Sequence, residues 1–423
     1  MLSIKLIREH PDTVKDDLRK RGVDARLKEV DEVLVLDEQN RKLQYELDNL
    51  RHEKNTLSME FNRLKKAGED TDTVLKKVKS LPEQVKKIED DKSVVEGKIN
   101  YILMRLPNIL HSSVPVGVDA DTGNVVVRTW GTPRTTDFEL KVHSEIAEQR
   151  GLADFERATK ISGAGFYFLL GDLALLDMAL QRFAIDQLVK KGFQLVIPPH
   201  MMTRKAYEGV TDLKEFETVM YKVDGGDAHF IATSEHPLTA RFQNDIIPAK
   251  SLPLKFVGIS PCYRREIGSH GVDTKGLFRV HQFMKVEQII ICKPEDSWKF
   301  HEEMQKNAEE LFMALKLPFH VVNICTGDIG TVAAKKYDIE AWMPREKAFK
   351  EVTSCSNCTA YQAVRLNIRY EEAGKREYVH TLNATAIATG RAMRAIIENY
   401  QERDGSITIP EVLVPYMGGK KKI

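Results

Sequence analysis

Cysteine is scarce and long apolar runs are missing. The 423-residue chain holds 5 cysteines. Their odd number and lack of framework spacing argue against a disulfide-stapled secreted domain and fit a reducing cytosol. No stretch of about 18 apolar residues occurs, so no membrane span is expected. The start, Met1-Leu2-Ser3-Ile4-Lys5-Leu6, lacks the apolar core of a signal peptide. A cytoplasmic protein is the expectation. An excess of charge is also missing, with 63 Lys plus Arg against 62 Asp plus Glu. A nucleic-acid partner would therefore have to meet a local basic patch. What the chain does have is a 42% hydrophobic content, enough for a sizeable core, and a length suited to about two or three domains.

The first 106 residues carry helical periodicity. In residues 1–30, Asp12 is expected to cap a helix through Val14 and Leu18 that Gly22 stops. Leu36, Leu43, Leu50, Leu57 and Leu64 then fall seven apart, with Leu47 and Phe61 between them. After the turn residues Gly68-Glu69-Asp70-Thr71-Asp72, a second stripe runs through Val74, Val78, Leu81, Val85, Ile88, Val95, Ile99, Ile102 and Leu106. Two apolar stripes joined by a tight turn predict an antiparallel helical hairpin roughly 50 Å long. Pro82 is expected to mark an early turn with a kink or a fresh start. Arg51, Lys54, Arg63, Lys76 and Lys77 lie outward among interleaved acids, which periodicity alone reads as an ordinary solvated coiled coil.

The segment Pro261–Gln288 carries the chemistry. Strand-like Leu254–Ile259 leads to Tyr263-Arg264-Arg265-Glu266, a loop marked by Gly268, Gly271 and Gly276, and a second strand expected over Leu277–Ile291. Arg264 and Arg279 can each present a planar fork to phosphate oxygens. Phe283 can stack on a flat base, and Glu266 can accept from a base amino group. Glu287, four residues past Phe283, shares its strand face and can bind an ammonium. Any one of these residues suits a solvated charged hairpin. The combination favours a nucleotide site.

Arg264-Arg265-Glu266, the loop, Phe278-Arg279-Val280-His281-Gln282-Phe283 and Lys285-Val286-Glu287 together resemble motif 2 of a class II aminoacyl-tRNA synthetase. The run is most similar to seryl-tRNA synthetases of the archaeal or eukaryotic cytosolic kind. The helix expected over Gly171–Lys191, followed by strand-like Phe193–Pro199, resembles motif 1 and implies a homodimer. Thr233-Ser234-Glu235 resembles the family's Thr-x-Glu loop, and Glu351-Val352-Thr353-Ser354 its Glu-x-x-Ser. Strand-like His380–Thr385 before Gly390-Arg391 and a helix resembles motif 3.

The resemblance implies an α+β fold. An antiparallel sheet flanked by helices forms the catalytic domain (111–423), and a tRNA-binding domain (1–110) carries a coiled-coil arm over about 31–106. It implies seryl-adenylate formation from L-serine and ATP. Transfer to serine tRNA follows, and to selenocysteine tRNA where present. By resemblance Arg264, Arg279 and Arg391 are the catalytic cations. Arg265, Glu266, Val280, Phe283, Val352 and Thr353 complete the ATP site, and Glu351 and Ser354 hold Mg²⁺. Thr233, Ser234, Glu235, Arg264, Glu287, Asn383 and Thr385 bind serine, and Arg51, Lys54, Arg63, Lys76 and Lys77 meet tRNA. Cys355 and Cys358 have the spacing of half a zinc site. Only Cys262, Cys292 and Cys325 remain, without a second close pair, so no zinc is expected. The tail Gly418–Ile423 is expected to be disordered.

Two rival readings stay open. One is a class II homologue charging a protein carrier, against which the heptads through 36–106 count. The other is a non-catalytic coiled-coil regulator, against which the three phosphate-facing arginines count.

Overall fold

Apolar residues repeating every three and four positions need a partner surface, and each long N-terminal helix supplies one to the other. The computed structural model describes residues 1–212, 217–266 and 276–423. These form two compact units, Leu2–Leu106 and Pro107–Ile423 with Met1. The expected loop glycines Gly268 and Gly271 lie outside the described residues.

In the first unit, α1 (Ile4–Glu9) and α2 (Pro11–Lys20) precede two long helices, α3 (Leu27–Ala67) and α4 (Asp72–Leu103). Leu36, Leu47 and Leu64 of α3 are buried, as are Leu81, Val95, Ile99 and Ile102 of α4. All seven lie on the expected stripes. Arg51 donates to Glu89 at 2.8 Å. The two residues are nearly equidistant from the turn, as an antiparallel hairpin requires. Gly68 ends α3 in the left-handed region, φ 72°, and Glu69 N–H reaches back to Leu64 O at 3.0 Å.

Two expectations here are corrected. Asp12 does not cap α2. Pro11 opens that helix, where its missing N–H would have no helical partner anyway, and Asp12 follows in the first turn. Nor does α4 start afresh at Pro82; it runs through it. Leu81 beside it is buried, and burial of the apolar stripe on both sides offsets the roughly 3 kcal/mol of an interior proline.

The second unit is organised by an eight-stranded sheet. Its strands are β1 (Val125–Trp130), β2 (Gln194–Val196), β3 (Leu254–Tyr263), β4 (Gln282–Cys292), β5 (Phe319–Asn323), β6 (Lys335–Met343), β7 (Ala348–Asn357) and β8 (His380–Ala388). Their order is β1-β5-β6-β7-β8-β4-β3-β2. Neighbours are antiparallel except the edge pair β2–β3. The unit's helices include α5 (His143–Gln149), α6 (Gly171–Lys190), α7 (Ser297–Ala314) and α8 (Thr389–Tyr400). One apolar core joins Phe183 of α6, Phe312 of α7 and Ile396 of α8 to Ile290 of β4 and Leu382 of β8. No helix among the described residues is long and apolar enough to cross a membrane.

The strand expected from Leu277 begins only at Gln282. Backbone groups before it have other partners: Leu277 N–H donates to His143 Nε2 at 3.1 Å, and His281 N–H to Gly165 O at 2.8 Å. The tail is not disordered. Ile423 is buried and exchanges backbone hydrogen bonds with Ile407 at 2.8 and 3.0 Å.

Around His143 a buried charge network ties α5 to α8. Arg394 Nε donates to Glu398 Oε1 at 2.9 Å and also engages Glu346. His143 Nδ1 lies 3.7 Å from Glu398. Burial pushes the Glu398 carboxyl up, but His143 and Arg394 more than offset it, so it sits below its ordinary value of 4.5.

Two outcomes follow. No atom lies within 4 Å of a Cβ built on Gly68, so Gly68→Ala tests backbone strain alone. It should destabilise the helical hairpin by about 1 kcal/mol, read by hydrogen exchange of α3 and α4 amides. A carboxyl depressed by folding adds stability above its unfolded value, and that stability is lost as pH falls through the folded one. Glu398→Gln should therefore flatten the fall in urea midpoint below pH 4.5, while costing about 1–3 kcal/mol at neutral pH, because Arg394 loses one of its two buried carboxylate partners and keeps Glu346.

Candidate active site

The pairing of β3 with β4 runs from Leu254 opposite Ile291 to Tyr263 opposite Gln282. Arg264 N–H then donates to His281 O at 2.9 Å. Side chains two apart on a strand share a face, so Phe283, Lys285 and Glu287 of β4 point together. They line two hollows of ≈ 70 and ≈ 680 Å³ that share Arg264, Lys285, Glu351, Ser354 and Arg391. The smaller adds Glu266, Val280, Phe283, Val352, Thr353 and Thr385. The larger adds Thr233, Glu235, Glu287 and Asn383, and its size suits a small-molecule site.

Two breaks in strand register shape the floor. In the β6–β7 ladder Ile339 faces Thr353, but Glu340 faces Glu351, which leaves Val352 as an extra residue. Three-apart residues on a regular strand point to opposite faces. This bulge instead brings Glu351 and Ser354 to the same cavity. In the β8–β4 ladder Thr385 faces Glu287 and Ile387 faces Val286, so Ala386 is the extra residue beside Thr385.

Polar contacts fix the side chains. Thr385 Oγ1 donates to Glu287 Oε2 at 3.1 Å, and Lys285 Nζ lies 2.6 Å from the same oxygen. Thr233 Oγ1 accepts from Glu235 N–H at 3.2 Å. Arg391 Nη1 lies 2.9 Å from Glu351 Oε1. Burial raises the Glu351 carboxyl, but Arg391, Lys336 and Arg264 more than offset it and hold it below its ordinary value. It is therefore anionic at neutral pH. With the Ser354 hydroxyl it offers the hard oxygen donors that Mg²⁺ prefers. Arg264 stands 5.4 Å from the Phe283 ring centroid, and Arg391 stands 5.1 Å from that of Phe278.

Three expected site residues are placed elsewhere. Ser234 is fully buried and packs on β3, where a Cβ on Gly258 would come within 2.5 Å of its hydroxyl. It lines neither hollow. Arg265 and Arg279 flank the undescribed 267–275 segment, are exposed, and line neither hollow among the described residues.

Others were missed. Lys285 lies between two residues singled out from the sequence. Gln362 Nε2 donates to Glu235 Oε1 at 2.8 Å, and Gln362 Oε1 accepts from Thr381 at 2.6 Å. Lys336 lines the larger hollow, 3.4 Å from Asp338. Burial pushes Asp338 well above the ordinary carboxylate range. Asn383 Nδ2 contacts Cys358 Sγ at 3.6 Å. Burial raises the Cys355 and Cys358 thiols, so both stay protonated.

Comparison with known proteins agrees in both units. Residues 1–110 match the seryl-tRNA synthetase N-terminal domain, and residues 221–400 match the tRNA synthetase class II core domain (G, H, P, S and T). A serine–tRNA ligase of Methanocella arvoryzae is 60% identical over 422 residues, covering 99% of each chain. The crystal structure of seryl-tRNA synthetase from Pyrococcus horikoshii complexed with ATP is 49% identical, with a TM-score of 0.92, covering 100% of this chain and 99% of that one. The cytoplasmic serine–tRNA ligase of Naegleria fowleri in complex with AMP is 37% identical, with a TM-score of 0.87, covering 100% and 98%. The chain belongs to the seryl-tRNA synthetase family of class II aminoacyl-tRNA synthetases.

Proposed function

We propose that the paired hollows are where L-serine and ATP are joined, and that the chain then charges serine tRNA, including selenocysteine tRNA where present. The observation that carries this reading is that Arg264 and Arg391 share one cavity with Glu235, Glu287 and Asn383. Phosphate-binding cations thus stand beside groups suited to an ammonium and a hydroxyl.

Phe283 stacks on adenine beside Glu266 and Val280. Arg264 meets the α-phosphate, and Arg391 meets the terminal phosphates. Glu351 and Ser354 would hold Mg²⁺, which when bound draws charge from the triphosphate. An oxygen of the serine carboxylate bonds to the α-phosphorus as the bridge to the β-phosphate breaks and pyrophosphate leaves. The terminal ribose hydroxyl of tRNA then attacks the acyl carbon and AMP departs. Neither step needs a side-chain nucleophile. Positioning and fixed positive charge lower the barrier.

Thr233, Glu235 and Glu287 receive the ammonium, and Asn383 and Thr385 meet the substrate hydroxyl. A buried site built for a hydroxyl rejects alanine and glycine, because its polar groups would be left unpaired. Threonine is refused by size.

On the helical hairpin, Lys54, Lys76 and Lys77 are exposed. Arg51 and Arg63 make only surface ion pairs, with Glu89 at 2.8 Å and Glu69 at 3.9 Å. Such pairs are worth about 0–1 kcal/mol and exchange readily for phosphate. Leu175 and Met178 of α6, with Leu195 and Ile197 at the β2 edge, are exposed apolar side chains. They support a homodimer across motif 1. The cytoplasm is the proposed location.

Pyrophosphate exchange should depend on serine and fail with alanine. Absence of exchange with serine or any other amino acid would instead favour a non-catalytic regulator. Replacing Arg51, Lys54, Arg63, Lys76 and Lys77 with alanine should leave exchange unchanged and lower tRNA charging by roughly tenfold or more. Unaltered charging would remove the arm assignment, and transfer to a protein carrier would favour the ligase alternative. Met178→Asp should shift sedimentation from dimer toward monomer.

A further inference from the structure

Between Phe283 and Glu287 on the cavity face of β4 stands Lys285, about 7 Å along the strand from each. Phe283 lines the smaller hollow, Glu287 the larger, and Lys285 both. Its side chain is 7% exposed and that of Glu287 is 2%. An ammonium buried this deeply is costly unless compensated. Its compensation is Glu287 Oε2 at 2.6 Å, the oxygen that also accepts from Thr385.

That pair has a chemical complement. A free amino acid carries a carboxylate and an ammonium on one carbon. A buried ammonium next to a buried carboxylate presents the opposite charges at matching separation. Resting on the assignment of Glu287 to the substrate ammonium, we propose that Lys285 binds the substrate carboxylate and that its contact with Glu287 is the empty site's stand-in for substrate. When the zwitterion enters, its ammonium takes the Lys285 position on Glu287, and Lys285 turns to the carboxylate. One internal ion pair is exchanged for two, and the four charges sum to zero. Lys285 thereby stands where the carboxylate meets the α-phosphate. It makes carboxylate recognition a property of β4 in addition to the Arg264 fork.

Calorimetry on the full-length protein at about pH 6, where an α-amino group is protonated, tests this with two ligands. L-Serine has both charges. L-Serinamide keeps the ammonium and hydroxyl but not the negative charge. The wild type should prefer L-serine by about tenfold or more. Lys285→Met, and Lys285→Gln as the variant that keeps a hydrogen-bond donor for Glu287, should bring the two affinities within about threefold, mainly by weakening L-serine. In pyrophosphate exchange the KM for serine should rise while that for ATP stays within about threefold. Folded variants that retain the wild-type preference, or that weaken both ligands equally, overturn the proposal and leave Lys285 a structural counterion. Wild-type protein that binds neither ligand would instead sink the serine assignment beneath it.

Discussion

Placing full charges in the interior of a β-sheet is the constraint on which this site depends. Lys285 and Glu287 sit on a strand with neighbours on both sides, and both side chains are buried. Separately each would carry a large desolvation penalty; together, with Thr385 supplying a hydroxyl, they are compensated. The arrangement holds only while β3, β4, β8 and β7 keep their register, because a slip of one residue would turn Phe283, Lys285 and Glu287 to the other face. The cores on the sheet therefore do more than stabilise it. They hold a charge pattern in a place where water would otherwise dissolve it.

Much of this was legible in the sequence. The heptad stripes name the buried faces of α3 and α4, since a long helix has few other ways to hide leucines. Phe283 and Glu287 follow from simple alternation, and Gly171–Lys190 from helical spacing ended by Gly192. Some features were visible but passed over: Tyr337, Ile339, Ala341 and Met343 alternate through β6, and Lys285 has the same spacing as its neighbours. Others leave no local trace. Gln362 reaches Glu235 across 127 positions. Ser234 packs on Gly258 because of how a turn meets a strand. The tail is held by backbone pairing to Ile407, which a Gly- and Lys-rich composition conceals.

The two units use charge differently. On the helical hairpin, opposite charges meet in solvent-exposed pairs such as Arg51–Glu89, which are weak and screened by salt. In the sheet unit, Arg394–Glu398 and Lys285–Glu287 are almost completely buried. The first kind leaves a surface adaptable to an irregular polyanion. The second specifies one geometry, the property needed to discriminate small ligands by a single functional group.

The extra residue in β7 has a consequence for how this protein tolerates change in chain length. Glu351 and Ser354 share a cavity only because the ladder skips one position at Val352. Substitutions in this strand alter one side chain at a time. Losing the single codon for Val352 would restore regular pleating and leave Glu351 and Ser354 two apart on one face, so the carboxylate and the hydroxyl would stay together. The bulge is therefore the one place in this strand where the chain can shorten by a residue and keep its faces.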